Sequence, residues 1–486
     1  MLNLLKIIKK YMHIQSLLHK KEYALLYAKY INRLSFKQQA YVICQLKLYD
    51  LFLIDPKWSH SVFFQLGLVI RGHYPNNDES VRRLIACADF RQNRHLIIAQ
   101  LLAYSPQIAK ALCPNTYRYH GLYLALLANL KDFVGLKEEL TKLTSRILKN
   151  TPHYFLIKNF VEKENSKKLA NINQFLRFYK LENITTINKK NPPNPNNIVS
   201  HTVVSDTKTY LNTPLITVLV TTFNSQKSIK NTLNSLLNQS YPNIEIIIID
   251  DNSQDNTITI LQEYKKRHNN INIISLKDNV GTYVAKTIGL KYATGEFITC
   301  QDSDDWAHPQ KFALQVAPLL KNKELMVTFS KWIRLDSAGN PYARAIYPFM
   351  RFNPSSALFR KKEVCEKTIL WDWVRIGADS ELNARLKLIF GPKGYYTVNK
   401  PLTLGAHRKN SLMTDQKTGY INGLSVQREK YWKAWNIWHI SQLKLGRPPI
   451  LPSYPKREFY QHEQHPIADV TSYVIIQSKR DYYETN

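Results

Sequence analysis

The stretch Leu215–Asp251, LITVLVTTFNSQKSIKNTLNSLLNQSYPNIEIIIIDD, decides the fold class of this chain. Two short runs rich in β-branched residues, Leu215–Val220 and Ile244–Asp250, are typical of buried strands. Between them, four apolar residues recur at the spacing of one helical face: Ile229, Leu233, Leu236 and Leu237. Buried strands that alternate with helices form mainly parallel sheets with right-handed crossovers. The stretch therefore predicts an α/β domain with a mainly parallel sheet.

The pattern along the rest of the chain predicts three further regions. Residues 1–183 have apolar residues three and four apart over many turns, which predicts an all-α domain of stacked helix pairs before the α/β domain. Asn188–Asn197, NKKNPPNPNN, is almost free of apolar residues and predicts a linker over residues 184–213. We expect the α/β domain at 214–440, in two halves at 214–320 and 321–440, and a C-terminal extension at 441–486.

The chain is long and strongly basic. Its 486 residues are too many for one ordinary core, so two or three domains are expected. Lys and Arg number 67 against 37 Asp and Glu, a net charge of +30 that favours anionic partners such as a membrane surface or phosphorylated ligands. A general bias towards Lys, Asn and Ile explains the charge equally well. The absence of an aromatic-basic motif or helix-turn-helix argues against nucleic acid.

Cysteine usage and the first residues predict a cytoplasmic location. The five Cys residues are scattered and form no CxxC pair, a pattern typical of reduced thiols. Lys6, Lys9 and Lys10 interrupt the early apolar run, so it is not a good signal peptide, and no apolar run is long enough to span a bilayer. The same stretch fits either an ordinary first helix or a basic amphipathic helix. The second alternative would give peripheral contact with the inner face of an anionic membrane.

Three polar loops follow predicted strands. They are TTFN at Thr221–Asn224, IDDNSQDNT at Ile249–Thr257 and QDSDDW at Gln301–Trp306. Each by itself is typical of a helix-capping turn. In open parallel sheets, however, ligands bind outside the carboxyl ends of the strands. Three such loops in one domain therefore indicate a ligand site.

These loops, together with NVGTYVAKTIG at Asn279–Gly289, resemble the GT-A glycosyltransferases of family 2. Within these four stretches the chain departs from the family pattern at four positions. Thr221 stands where Pro is usual, Phe223 for Tyr, Lys286 for Arg and Thr287 for Asn. The resemblance covers roughly residues 214–440, and it implies the GT-A fold, a nucleotide-sugar-binding α/β domain.

The resemblance assigns six residues to the nucleotide-sugar donor: Thr222, Phe223, Asn224, Asp251, Lys286 and Asp302. Asp251 matches the acid that accepts the uracil N3 proton, which implies a UDP-sugar. Asp302 would contact the ribose. Lys286 either pairs with a phosphate or is an ordinary lysine on a helix surface.

The resemblance also implies a divalent metal, Mn²⁺ or Mg²⁺, bridging the donor diphosphate. Carboxylate oxygens suit these hard cations, and Asp304 is the expected ligand. The adjacent Asp305 either assists or only caps the next helix. His407, in the loop HRKNSL, would complete the metal shell or touch the diphosphate.

The expected general base is Asp379, in WVRIGADSELNARL, where Ala378 replaces the usual Glu. Glu381 is the alternative. The implied reaction is an inverting single displacement that moves a sugar from a UDP-sugar to a glycan or lipid-linked glycan acceptor in capsule or lipopolysaccharide assembly. The alternative is a non-catalytic scaffold with a degenerate nucleotide-sugar domain, and the intact acids at the four expected positions argue against it.

Overall fold

The structure is a computed structural model, and it describes residues 12–116, 118–143, 151–200, 213–409, 411–415, 418–420, 425–451 and 459. Contacts divide the chain into two units. The helical unit comprises Met1–Leu136, Arg344–Tyr347 and Lys409–Pro449. The sheet unit comprises Lys137–Ala343, Pro348–Arg408 and Ile450–Asn486.

The first part of the chain is all helix, as predicted. Side-chain caps start several helices: Ser35 and Gln38 form a capping box, and the Asn76 side chain accepts from the Glu79 amide at 2.8 Å. The helices are α1 (Tyr23–Tyr30), α2 (Phe36–Leu46), α3 (Asp50–Ile54), α4 (Val62–Ile70), α5 (Asn77–Ala86), α6 (Phe90–Leu101), α7 (Pro106–Leu112), α8 (His120–Asn129) and α9 (Phe133–Thr141).

The sheet unit contains a mixed sheet with helices on both faces. Its strands are β3 (Ile216–Thr222), β4 (Ile244–Asp250), β5 (Ile271–Ser275), β6 (Phe297–Asp302), β7 (Trp306–Ala307), β8 (Val327–Leu335), β9 (Pro341–Tyr342), β10 (Arg351–Phe352), β11 (Leu358–Arg360) and β12 (Tyr395–Ala406), and β1 (Ile184–Thr186) and β2 (Ile198–Ser200) form a separate hairpin. The helices are α10 (His153–Lys158), α11 (Asn165–Phe178), α12 (Ile229–Leu237), α13 (Thr257–Arg267), α14 (Thr282–Lys291), α15 (Lys311–Lys321), α16 (Lys361–Lys367) and α17 (Ala378–Gly394).

The strand order is β5-β4-β3-β6-β11-β8-β12-β7. The first four strands are parallel, β11 runs antiparallel to β6 and β8, and β12 is parallel to β8. The predicted α/β class is therefore confirmed. The parallel pattern holds over the half of the sheet that residues 214–302 build, and the other half is mixed.

The sheet is buried on both faces because its strands alternate between two cores. On β3, Val218 packs in the core that contains Leu233 of α12, and its neighbour Leu219 packs in the core that contains Ile288 of α14. All seven residues of β3 are buried. Period-two alternation between two apolar layers explains why the strand sequences are continuous apolar runs.

The helices before the sheet do not all belong to the helical unit. The Lys168 ammonium donates to the Ala338 carbonyl at 2.6 Å, and Lys400 donates to the Tyr179 carbonyl at 2.7 Å. These bonds join α11 and the turn after it to the sheet unit. The observed division thus differs from the predicted boundary at residue 183, because residues 137–183 group with the sheet.

The predicted linker begins with an ordered hairpin. Strands β1 and β2 pair antiparallel, and the Asn197 amide group donates to the carbonyls of Asn188, Asn191 and Pro192 at 3.0, 3.0 and 3.1 Å. The Asn and Pro residues therefore build a closed loop instead of a flexible connection. Residues 201–212, and most of the predicted extension at 441–486, lie outside the described residues.

The last helix, α18 (Val426–Lys444), belongs to the helical unit and packs against α1. The Glu429 carboxylate pairs with Arg71 at 2.9 Å, and Lys433 pairs with Asp50. The predicted α/β domain extended to residue 440, whereas residues 409–449 group with the helices. Among the described residues, no helix is both long and apolar enough to cross a membrane.

Candidate functional site

The three predicted loops meet at one edge of the sheet. Strand β3 pairs in parallel with β4 and β6, so that Thr222 lies opposite Asp250 and Thr221 lies opposite Asp302. The carboxyl ends of these strands therefore share one edge, as the position of the acidic loops predicts.

The first two loops are tied together by side chains. The Thr222 hydroxyl donates to Asp250 at 2.8 Å, and Asp250 also accepts from the Ser253 amide at 2.9 Å. Asn224 has a left-handed backbone, with φ of 49°, and its side-chain oxygen accepts from the Gln254 amide at 2.8 Å. Phe223 is 48% exposed beside them. Thr222 and Asn224 therefore shape the loops, while the Phe223 ring is open to a ligand.

Asp251 fixes the loop that precedes α14. Its two carboxylate oxygens accept from the amides of Val280 and Gly281 at 2.7 and 2.9 Å. Gly281 has φ of 88°, a conformation that favours glycine. Burial raises the pKa of the Asp251 carboxyl above its ordinary value, although the two amides oppose the rise. Each oxygen keeps a second lone pair for a ligand.

Lys286 lies between two of the predicted acids. Its ammonium is 3.6 Å from the Asp302 carboxylate and 3.9 Å from that of Asp379, and its side chain is 1% exposed. Burial by itself would lower the pKa of Lys286. The carboxylates of Asp379 and Asp302 outweigh burial and hold this pKa above its ordinary value. The expectation that Lys286 is an ordinary lysine on a helix surface is therefore wrong, because its side chain is buried.

Asp379 is held in place by two hydroxyl groups. Its Oδ2 accepts from the Tyr283 hydroxyl at 3.2 Å and from the Ser355 hydroxyl at 3.1 Å. It lies in the first turn of α17, where the helix dipole favours a carboxylate. The alternative base, Glu381, is fully buried and pairs with Arg385 at 2.8 Å. This geometry leaves Asp379 as the candidate with access to a substrate.

The acidic loop contains one buried and two partly exposed carboxylates. Asp302 is 35% exposed, and Asp304 is 18% exposed and pairs with Arg408 at 2.7 Å. Asp305 is buried and accepts from the Ala406 amide at 2.9 Å. Burial first, and then Asp304 and Asp302, hold the pKa of Asp305 well above its ordinary value. Asp305 thus joins the acidic loop to β12. This contact differs from both expected roles, which were to assist at the metal site or to cap the next helix.

His407 has an aromatic partner. Its ring stacks on Tyr342 with centroids 3.5 Å apart and planes 6° apart. Burial, followed by the nearby Arg334, lowers the pKa of His407 to about 4. In the part of the chain that the structure describes, no group of three His, Cys, Asp or Glu side chains is arranged to hold a metal ion by itself. The role of His407 as a metal ligand stays a prediction.

The acidic loop suits a divalent cation only if a bound diphosphate supplies further ligands. Asp304 offers a hard carboxylate oxygen at the strand edge, and Asp302 lies two residues away. Mg²⁺ and Mn²⁺ are often held by one or two carboxylates, with substrate phosphates and water as the other ligands. The residues present therefore fit such a cation only together with a diphosphate.

Three neighbours of the site were not predicted from the sequence: Tyr283, Ser355 and Arg375. Tyr283 lies three residues before Lys286 on the same face of α14, a signal that helical spacing could have given. Arg375 donates to the Asn279 side chain at 2.7 Å and to its carbonyl at 2.8 Å, beside the Asp251 loop. Ser355 reaches Asp379 only because β11 pairs with β6, which no local pattern indicates.

Comparison with known proteins agrees with this arrangement. Residues 217–368 match the family model Glycosyl transferase family 2. An uncharacterised glycosyltransferase of Haemophilus influenzae is 35% identical over 130 residues, 27% of this chain and 52% of that protein. The putative teichuronic acid biosynthesis glycosyltransferase TuaG of Bacillus subtilis is 32% identical over 134 residues, 28% of this chain and 53% of that protein. The chain thus spans about half the length of these relatives.

A solved structure of Staphylococcus aureus TarS 1-349 with UDP-GlcNAc is 20% identical and covers 46% of this chain and 72% of that one, with a TM-score of 0.35. The family match spans β3 to α16 and includes the strand edge with Asp251, Lys286, Asp302 and Asp304. Residues 217–368 of this chain are therefore similar to the domain that the family 2 model describes.

Proposed function

We propose that this protein is an inverting glycosyltransferase that moves a sugar from a UDP-sugar to a glycan acceptor during bacterial surface polysaccharide assembly. One observation carries the proposal: Lys286 bridges Asp302, at the end of β6, and Asp379, at the start of α17. A donor-side acid and a base candidate thus flank one buried cation. The similarity to TuaG, a putative teichuronic acid biosynthesis glycosyltransferase, supports the polysaccharide setting.

The chain's own groups account for the steps of a single displacement. A carboxylate oxygen of Asp379 takes the proton of the acceptor hydroxyl, whose oxygen forms the new bond to the anomeric carbon. The bond from that carbon to the diphosphate breaks on the opposite face, and UDP leaves. Attack opposite the leaving group inverts the anomeric configuration.

The departing diphosphate requires positive charge. Asp304 would hold the divalent metal, with Asp302 beside it, and a bound metal would neutralise the charge that develops on the diphosphate. Arg408, which is 50% exposed, is close enough to exchange its pairing with Asp304 for one with a phosphate oxygen. We propose the uracil contact for Asp251 and stacking on the base for the exposed Phe223 ring.

The test measures UDP release by the purified full chain from a panel of UDP-sugars, with Mn²⁺, with Mg²⁺ and with EDTA. We expect slow release from one donor, lost with EDTA and in Asp304→Ala. Asp379→Asn should abolish transfer and leave calorimetric UDP binding unchanged. Failure of every donor, together with no UDP binding in the presence of Mn²⁺, would sink the UDP assignment and favour the scaffold alternative.

A further inference from the structure

A second cavity lies in the sheet unit, between the hairpin β1–β2 and helix α12. Its volume is about 430 Å³, within the range of about 300–1,000 Å³ that is typical of small-ligand pockets. None of the site acids Asp302, Asp304 and Asp379 lines it. The cavity is therefore distinct from the site described above.

Helix α12 and its C-cap present an unusual face to this cavity. Asn231, Asn234, Ser235 and Asn238 line it, at the spacing of one helical face. On a helix that packs against protein, such a face is ordinarily apolar. Here it consists of three amides and a hydroxyl.

Other side chains that line the cavity also offer polar or aromatic groups. Thr186 and Ser200 of the hairpin add two hydroxyls, and Trp306 adds an indole. All residues that line the cavity are uncharged, although the chain has a net charge of +30. The lining thus disfavours an ionic ligand as the natural occupant, because no counter-charge is in place to offset its desolvation.

Some of these polar groups are hydrogen-bonded within the protein, and others have donors or acceptors left for a ligand. The Asn231 amide donates to the Ile198 carbonyl at 3.0 Å, and Ser235 accepts from the Ala307 amide at 3.1 Å. Asn234 accepts from the Tyr264 hydroxyl at 2.8 Å, which leaves its own N–H donors. The Asn238 side chain, partly buried, makes no hydrogen bond to another described residue.

We infer that this cavity binds a neutral saccharide of one or two sugar units. Each primary amide offers two donors and a carbonyl acceptor, which matches the paired hydroxyls of a sugar ring. An indole offers an apolar wall to the C–H face of the ring. This inference does not depend on the proposed transfer reaction.

The same helix also contacts the acidic loop. The Thr232 hydroxyl of α12 donates to the carbonyls of Ser303 and Asp305, both at 3.0 Å. A saccharide in the cavity would therefore contact the same helix whose Thr232 side chain is hydrogen-bonded to the acidic loop.

The test is saturation-transfer difference NMR on the full chain with four disaccharides: lactose, cellobiose, maltose and N,N′-diacetylchitobiose. We expect millimolar binding of at least one of them. Asn238→Leu keeps the side-chain size, removes the amide and should weaken this binding at least about fivefold. Thr186→Leu, on the opposite wall, should act in the same direction.

Two matched variants make the result specific. Asn129→Leu removes an exposed asparagine at the end of α8, and Asp304→Asn alters only the acidic loop; both should bind like the parent. Circular dichroism checks that each variant is folded. Absence of a signal from all four sugars overturns the inference, as does unchanged binding in both cavity variants. Loss of the signal in Asp304→Asn overturns it too, because the sugar would then occupy the donor site.

Discussion

At the residue scale, Lys286 is the group on which the two flanking carboxylates depend. Lys286→Met would leave Asp302 and Asp379 close together without their shared cation. Without the ammonium, the two carboxylates lose the charge that holds them in position. We expect kcat to fall by roughly tenfold or more, while the KM for the donor changes less.

The control is Lys286→Arg, which restores both the family's usual residue and the charge. Its kcat should stay close to that of the parent. If Lys286→Met instead raised only the KM for the donor and left kcat unchanged, Lys286 would be a phosphate ligand and not a positioning residue for the base.

Two hydroxyl groups set the orientation of the Asp379 carboxylate. Tyr283→Phe and Ser355→Ala each remove one hydrogen bond to Oδ2, at a cost of about 1 kcal/mol or somewhat more. We expect kcat to fall roughly tenfold in each variant and further in the double variant, while the KM for the donor changes little. Steady-state kinetics with a saturating acceptor measure both quantities. A change confined to KM would contradict this assignment.

At the element scale, helix α17 combines a site acid with a buried structural pair. Glu381 and Arg385 are both fully buried and one helical turn apart. Glu381→Ala would leave the Arg385 guanidinium buried and unpaired, which should lower the free energy of unfolding by about 3–5 kcal/mol. Urea denaturation followed by tryptophan fluorescence measures the loss.

The double variant Glu381→Leu with Arg385→Leu should recover much of that stability, because it removes both charges. Asp379→Asn, two residues before Glu381, should abolish transfer and lower the urea midpoint less than Glu381→Ala does, because Asp302 still pairs with the buried Lys286. A stable but inactive Glu381→Ala would reverse the roles of the two acids.

At the scale of the whole molecule, buried histidines should make the sheet unit sensitive to acid. Burial lowers the pKa of His153, His308 and His407, each to about 4. In the unfolded chain imidazoles titrate near 6.5, as a typical value. Between these values the unfolded chain takes up protons that the folded chain does not, so the free energy of unfolding falls as the pH falls from about 6.5 to about 4.

His308→Gln tests this linkage at the most buried of the three. Each unit of pKa difference is worth about 1.4 kcal/mol, so the variant should lose on the order of 3 kcal/mol less stability than the parent over that pH range. His60→Gln, an exposed change, is the control and should follow the parent. If the free energy of unfolding fell with pH by the same amount in His308→Gln and in the parent, the prediction would be contradicted.

The sequence predicted those parts of the fold that local pattern specifies. Apolar runs that end in polar turns located β3, β4 and β6, and also the acids at the ends of β4 and β6. Composition could not predict the conformation of the segment Asn188–Asn197, because Asn and Pro residues are typical of flexible linkers and of closed hairpin loops alike. The hydrogen bonds of the Asn197 side chain close this loop. Helical periodicity likewise cannot tell which core α11 joins. Ser355 was missed because its position depends on pairing between strands far apart in sequence.

The packing of α18 against α1 has a consequence for the order of events during synthesis. At about 5–20 residues per second, the roughly 400 residues between these helices take about 20–80 s to translate. Throughout that interval α1, which also packs against α2, lacks its partner α18. The helical unit therefore cannot complete its packing until α18 has been made, although its first helices are translated early, and these nascent helices are where we expect a chaperone to bind.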